Sequence, residues 1–182
     1  MKKIAIVGSP GSGKTTLSAG IFYFLKTLGE HVELVPELIK YKVYKNVNFE
    51  AEGFDILNTL EQKEFEELFE TEHAKKQIDY IICEAPLCNG YFYSSFYDKG
   101  LEAPILKRIA QSKINSYDLM LFVERVPESE YVTFGRKESF DQARSLEAHI
   151  QQKLKDLKYS NPIMVVNQKT DIKEILKFIG IV

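Results

Sequence analysis

The sequence predicts an α/β fold in which a five-stranded parallel sheet lies between two layers of helices. Two observations carry this reading. Five short apolar runs, at 3–7, 31–35, 79–83, 118–123 and 162–166, are separated by segments whose apolar residues recur at helical spacing. Strands buried on both faces and joined by helical crossovers pair in parallel. The first run also leads directly into Gly8-Ser9-Pro10-Gly11-Ser12-Gly13-Lys14-Thr15 and then into a helical period. That succession of strand, glycine-rich turn and helix places a tight loop at the end of a central strand.

Each element follows from its pattern. After the glycine turn, Leu17, Ile21, Phe24, Leu25 and Leu28 mark the first helix, which Gly29 closes. The strand at 31–35 is followed by a long helical stretch from about 50 to 76 carrying Phe54, Leu57, Leu60, Phe65, Leu68 and Phe69. Its acidic run from Glu61 to Glu72 reads as a solvated face. Beyond the strand at 79–83, the Tyr/Phe-rich segment 91–97 reads as a loop leading to a helix at 104–115. Ser139 and Gln142 form a capping box that opens the next helix, striped by Phe140, Ala143, Leu146, Ile150, Leu154 and Leu157. Ile172, Ile175, Leu176 and Ile179 line the last helix.

With 182 residues, 45% hydrophobic and 27% charged, the chain reads as one domain, 1–182, with a core of ordinary size. A net charge of −2 supplies no global basic field for nucleic acid, although a local basic groove is compatible with it. Met1-Lys2-Lys3 runs straight into the first strand, so no signal peptide is expected, and no apolar run nears the ~20 residues of a membrane span. The expected location is cytoplasmic. Cys83 and Cys88 lack CxxC spacing and a nearby histidine; Cys83 reads as a small core residue and Cys88 as an accessible thiol. His31, His73 and His149 are scattered and read as structural or solvated.

The glycine turn fits G-x-x-x-x-G-K-[ST], the P-loop. Its glycines let backbone N–H groups close around phosphate oxygens at a positive helix N-terminus. Gly8, Ser9, Pro10, Gly11, Ser12, Gly13, Lys14, Thr15 and Thr16 are therefore the nucleotide-binding candidates. Lys14 is assigned to the β/γ-phosphates and the Thr15 hydroxyl to Mg²⁺. ATP and Mg²⁺ are the expected ligands. In a parallel sheet, ligands sit at the carboxyl ends of the strands. The remaining strands deliver Pro36-Glu37, Glu84-Ala85-Pro86, Glu124-Arg125 and Asn167-Gln168 to that edge. Glu84, after four apolar residues, stands where the metal-holding carboxylate of a P-loop site belongs, or serves as the base. Asn167 lies in a loop assigned to the nucleotide base. Asn167-Gln168-Lys169-Thr170-Asp171 misses the guanine-reading NKxD spacing, so ATP is the default donor.

Taken in order, the P-loop, Val35-Pro36-Glu37, Gln62, Tyr80-Ile81-Ile82-Cys83-Glu84-Ala85-Pro86-Leu87 and Tyr131-Val132-Thr133-Phe134-Gly135-Arg136 resemble the P-loop kinases of the nucleoside and nucleotide kinase group. The likeness is strongest to a ribosylnicotinamide-kinase-like branch that includes small ATPase/kinase proteins of bacteria and phages. It implies a three-layer P-loop NTPase fold with a small lid at about 124–138. It also implies that Glu37 is the base or acceptor-orienting carboxylate and that Gln62 bonds a base edge. Within the lid, Arg125 and Arg136 become ligands of the transferred phosphoryl group, with Gly135 as the joint and Lys137 beside it. Arginine's planar fork suits charge spread over equatorial oxygens. Similar kinases often place an arginine directly after the strand-end carboxylate, whereas this chain has Ala85-Pro86. The likeness also makes a homodimer an expectation.

The acceptor is left open by sequence. Tyr91, Phe92, Tyr93, Phe96 and Tyr97 read either as a base-stacking pocket or as core. Tyr41 and Tyr44 among Lys40, Lys42 and Lys45 form a basic-aromatic patch suited to a phosphate or a nucleic-acid strand. Three functions are consistent with these residues. One is transfer of the ATP γ-phosphate to a nucleoside, nucleotide or related small molecule. The second is transfer to a modified base in phage-type DNA, and the third is an ATPase switch acting on a protein partner.

Overall fold

A computed structural model describes residues 1–131, 138–167 and 169–181. Five strands form one parallel sheet: β1 (Lys2–Val7), β2 (Val32–Val35), β3 (Tyr80–Cys83), β4 (Leu119–Val123) and β5 (Ile163–Val166). Their spatial order is β2-β3-β1-β4-β5. The glycine-turn strand β1 is thus central, with Ile4 opposite Ile82 of β3 and Leu119 of β4. The described helices are α1 (Lys14–Thr27), α2 (Ile39–Tyr44), α3 (Phe54–Leu68), α4 (Glu72–Lys75), α5 (Cys88–Phe96), α6 (Glu102–Lys113), α7 (Phe140–Asp156) and α8 (Ile172–Ile179).

Strand alternation divides the core in two. Ala5, Val7, Ile81, Cys83, Met120 and Phe122 face one layer built by α5, α6 and α7, with Phe92, Leu106, Leu146 and Ile150 buried in it. Ile4, Ile6, Ile82, Leu119 and Leu121 face the other, where α1 and α8 contribute Ile21, Leu25, Ile175 and Ile179. Each Val, Leu, Ile, Phe or Met among them, when fully buried, adds about 1.5–3 kcal/mol of hydrophobic stabilisation. Ser139 and Gln142 form the anticipated capping box of α7. Among the described residues no helix is long and apolar enough to cross a membrane.

Three sequence readings need correction, and one helix has no counterpart among them. The stretch 50–76 is not one helix: α3 ends at Leu68, and Phe69–Thr71 separate it from α4. The short helix α2 has no apolar periodicity strong enough to announce it. The segment 91–97 is mostly helix α5 rather than loop. Finally, the acidic run is not wholly solvated, because Glu66 is 1% exposed and bonded to Lys3 Nζ at 2.8 Å. Tyr117 donates its hydroxyl hydrogen to Glu66 and accepts from the Leu87 N–H at 2.9 Å. Lys3 also pairs with Glu70. Although burial opposes charge on Lys3, Glu66 holds its pKa above the ordinary lysine value. Burial in turn raises that of Glu66.

Candidate active site

The strand order decides which strand ends meet. The loop after β1 stands between those after β3 and β4, with β2 beyond β3. Glu84 at the end of β3 therefore reaches the P-loop directly, and Glu37, two residues past β2, comes in beside it. Glu124-Arg125 and Asn167, after β4 and β5, lie on the other side.

At the P-loop, Gly13 takes φ 96°, a left-handed conformation that aims successive N–H groups into the turn ahead of α1. Gly8 is required for space: a Cβ there would stand 2.5 Å from the Val123 carbonyl and 2.7 Å from Ser12 Oγ. Lys14 Nζ, held over the loop, donates to the Gly8 and Ser9 carbonyls, each at 3.0 Å. Ser12 Oγ is buried and finds no hydrogen-bond partner among the described residues. A buried hydroxyl inside a nest of backbone donors fits a phosphate-bearing ligand.

Thr15 donates its hydroxyl hydrogen to Glu84 Oε1, joining the two expected metal ligands. Glu84 is 3% exposed. Hard oxygen donors, one of them a carboxylate, suit Mg²⁺, which typically takes one or two carboxylates and completes its shell with phosphate and water. Among the described residues no cluster of three or more His, Cys, Asp or Glu offers an all-protein metal cage. The pair Thr15 and Glu84 thus fits a metal that arrives with a nucleotide. The Lys40 ammonium rests on these same oxygens, 2.7 Å from Glu84 Oε1 and in contact with Thr15 Oγ1.

From this centre a cleft of about 660 Å³ runs away beneath α2, α3 and α5. Pro10, Gly11, Gly13, Lys14, Thr15 and Thr16 line its phosphate end, and Glu37 and Lys40 its middle. Asp55, Asn58, Thr59, Gln62, Tyr93 and Tyr97 line its far end. The aromatic cluster is split by the helix that carries it. Tyr93 and Tyr97, four residues apart, share the cleft face, whereas Tyr91 and Phe92 are 4% and 0% exposed in the core. Phe96 packs against that core and on His149. Burial raises the Tyr93 pKa, and the negative Glu37 and Glu138 add to the shift, so its hydroxyl keeps its proton. Gly90 lets α5 approach α3, since a Cβ there would overlap the Thr59 hydroxyl. Gln62 spends its amide on backbone: Oε1 accepts from the Leu38 N–H and Nε2 donates to the Pro36 carbonyl, both at 3.1 Å. Asn58 Oδ1 is buried and without a hydrogen-bond partner among the described residues. Lys99 closes the far end, 3.2 Å from Asp55 Oδ2 and donating to the Phe49 carbonyl at 2.7 Å.

The other predicted site residues do not line this cleft. Arg125 is turned to α7, where its guanidinium stands 3.5 Å from Glu147 Oε1 and over the Phe140 ring. Glu147 also accepts the Arg125 N–H at 2.8 Å and the Ser9 hydroxyl at 3.4 Å, tying α7 to the P-loop. Nothing in the sequence singles out Glu147 among the charged residues of that helix. Asn167 is exposed and engaged in its own turn, accepting from the Lys169 N–H. Gly135, Arg136, Lys137 and Gln168 lie outside the described residues. The basic-aromatic patch is dispersed, with Lys40 on Thr15 and Glu84 and Lys42 paired to Glu61 at 2.6 Å. Tyr41 and Tyr44 are exposed. Cys88, read as an accessible thiol, is instead 1% exposed, and burial pushes its pKa up into an inert range. Cys83 is buried, in keeping with a core role.

No curated protein matches the sequence significantly. Among solved structures, the chain is similar to deoxyadenosine kinase from M. mycoides with the products dCMP and a flexible dCDP bound. The TM-score is 0.63 at 22% identity, covering 97% of this chain and 96% of that one. It is similar also to the same kinase with bound dATP, with a TM-score of 0.58 at 22% identity and coverage of 98% and 97%. These likenesses establish the architecture: a P-loop α/β fold of the kind found in nucleoside kinases. Matched over residues 3–174 by the model of the AAA domain family, the chain belongs to that family.

Proposed function

We propose that this protein is an Mg²⁺- and ATP-dependent phosphotransferase that moves the γ-phosphate of ATP to a nucleoside, a nucleotide or a related small molecule. The observation that carries this reading is the single continuous cleft. It joins the P-loop to the Glu37 carboxylate and then to a mixed polar and aromatic far end, in a volume of about 660 Å³ that suits small organic ligands. Kinase chemistry needs donor phosphate and acceptor in one cavity, and positioning supplies most of the rate. The similarity in fold to a deoxyadenosine kinase supports the same reading.

In this mechanism the loop N–H groups from Gly8 to Thr16, Pro10 excepted, and the Lys14 ammonium hold the donor phosphates. Thr15 and Glu84 would hold Mg²⁺, which when bound neutralises β- and γ-phosphate charge. Glu37 orients the acceptor hydroxyl and takes its proton as the acceptor oxygen bonds to phosphorus. The bond to the β–γ bridging oxygen breaks with its electron pair left on ADP. Tyr93 and Tyr97 flank the acceptor ring, and Asn58 Oδ1 accepts from a donor on its edge.

The test is incubation with γ-labelled ATP and Mg²⁺ against nucleosides, nucleotides, ribosylnicotinamide and modified-base oligonucleotides, with Lys14→Ala as control. Label on a small acceptor is the expected result, and label on oligonucleotides alone redirects the reading to a polymer. Label released only as free phosphate, and lost in Lys14→Ala, overturns the kinase in favour of an ATPase. With the acceptor in hand, Glu37→Gln is expected to leave ATP binding intact and to slow transfer roughly 10²–10⁴-fold.

A further inference from the structure

Lys40 sits where three functional oxygens meet. Its ammonium donates to Glu84 Oε1 at 2.7 Å, touches Thr15 Oγ1 and stands 3.8 Å from Glu37 Oε2. One cation therefore contacts both metal candidates and approaches the acceptor-orienting carboxylate. Its helix, α2, is six residues long and buries none of them, and the Lys40 side chain is 41% exposed, so little packing fixes the ammonium. The strand-end carboxylate is followed by Ala85-Pro86, so β3 brings no cation of its own. The described lysines and arginines lining the cleft are Lys14, Lys40 and Lys99, and Lys99 is committed to Asp55 and Phe49 at the far end.

Phosphoryl transfer needs positive charge beyond the P-loop lysine, because the developing charge spreads over three equatorial oxygens. A metal ion taking Thr15 Oγ1 and Glu84 Oε1 would compete with the Lys40 ammonium for the same lone pairs, and a lysine's four-carbon stem lets its ammonium change partners without moving the backbone. We propose that Lys40 is a catalytic cation that competes with the metal for Thr15 and Glu84. When Mg²⁺ and ATP bind, it cedes those oxygens and turns to Glu37 and the transferring phosphoryl group. The proposal rests on the kinase reading above. It adds a charge contact to that reaction and changes none of the bonds made or broken.

The experiment compares wild type with Lys40→Met and Lys40→Arg, and with Lys45→Met as a control at the exposed residue just past the end of the same helix. Binding of a fluorescent ATP analogue is titrated against Mg²⁺ without acceptor. In Lys40→Met the half-saturating Mg²⁺ concentration is expected to fall about five-fold or more, because a competitor at a coupled site is gone. With acceptor present, kcat is expected to fall roughly 10²–10³-fold in Lys40→Met and to recover in part in Lys40→Arg. An unchanged Mg²⁺ titration, or an unchanged kcat, in an active kinase overturns the proposal and leaves the kinase reading standing. Wild type that phosphorylates no acceptor, while the Mg²⁺ shift persists in Lys40→Met, overturns the kinase reading and the catalytic part of the proposal with it.

Discussion

Removing the hydroxyl of Tyr117 tests the buried network that backs the candidate active site. Tyr117 is 0% exposed, and its hydroxyl serves Glu66 Oε2 at 3.0 Å, Glu66 Oε1 at 3.1 Å and the Leu87 N–H at 2.9 Å. Tyr117→Phe keeps the ring and its contact beneath Lys3 Nζ at 4.6 Å, so packing is preserved. What is lost is a bond to a buried carboxylate, about 1.5–3 kcal/mol, together with the partner of a buried N–H, about 1–3 kcal/mol. The two share one atom and are not additive, so about 3 kcal/mol is expected. For a chain of this size that lowers Tm by about 6–12 °C. Urea denaturation should show a lower midpoint at unchanged m.

The network also gives this loss a pH dependence. Burial raises the Glu66 pKa against the pull of Lys3 and Tyr117, so ionising Glu66 costs stability as pH rises through the unfolded carboxylate range. The Tyr117 hydroxyl lessens that cost. The deficit of Tyr117→Phe should therefore be smallest in acid, where Glu66 is protonated, and grow toward neutral pH. Leu87 lines the cleft directly after Pro86, so a raised acceptor KM with unaltered ATP binding is expected alongside. A stability loss under about 0.5 kcal/mol at pH 7 would refute the view that this network is a closed, mutually satisfied unit.

Two further substitutions probe close approach. Gly90→Ala drives a Cβ into the Thr59 hydroxyl between α5 and α3, and should cost about 1–3 kcal/mol and raise the acceptor KM. Adding Thr59→Ala should restore at least half of the stability, and a double variant no better than the single one rules out that collision as the cause. Gly8→Ala places a Cβ 2.5 Å from the Val123 carbonyl, which cannot rotate away, so the P-loop must shift. Nucleotide affinity measured by calorimetry should fall at least tenfold, with 1 Å misplacements costing about 10² in transfer. Wild-type affinity would mean that the loop tolerates the shift.

Much of the fold is legible in the sequence because it rests on short-range patterns. The five apolar runs, the capping box at Ser139 and Gln142, and the glycine turn each need only neighbouring residues to declare themselves. Readings that failed depend on which surface a side chain meets. Glu66 looks like its acidic neighbours, yet Lys3 and Tyr117 wait for it across the core, 63 and 51 residues away. Cys88 follows a strand end, but the helix that begins there turns its thiol inward. Sequence lists the aromatics of 91–97 as one cluster, and helical geometry then sends Tyr93 and Tyr97 to the cleft and Tyr91 and Phe92 to the core.

By itself the sequence determines the phosphate-binding loop, its flanking strand and helix, and the set of residues delivered at the strand ends. It does so because backbone conformation, turn chemistry and periodicity are local. Only the tertiary structure decides which strand ends share a site. The order β2-β3-β1-β4-β5 groups Glu37 and Glu84 with the P-loop, while Arg125 and Asn167 stay on the far side of β1. It decides as well that Lys40, four residues beyond Pro36 in a short helix without periodicity, reaches Thr15 and Glu84. Strand pairing and long side-chain reach join residues far apart in the chain, and no local pattern encodes them.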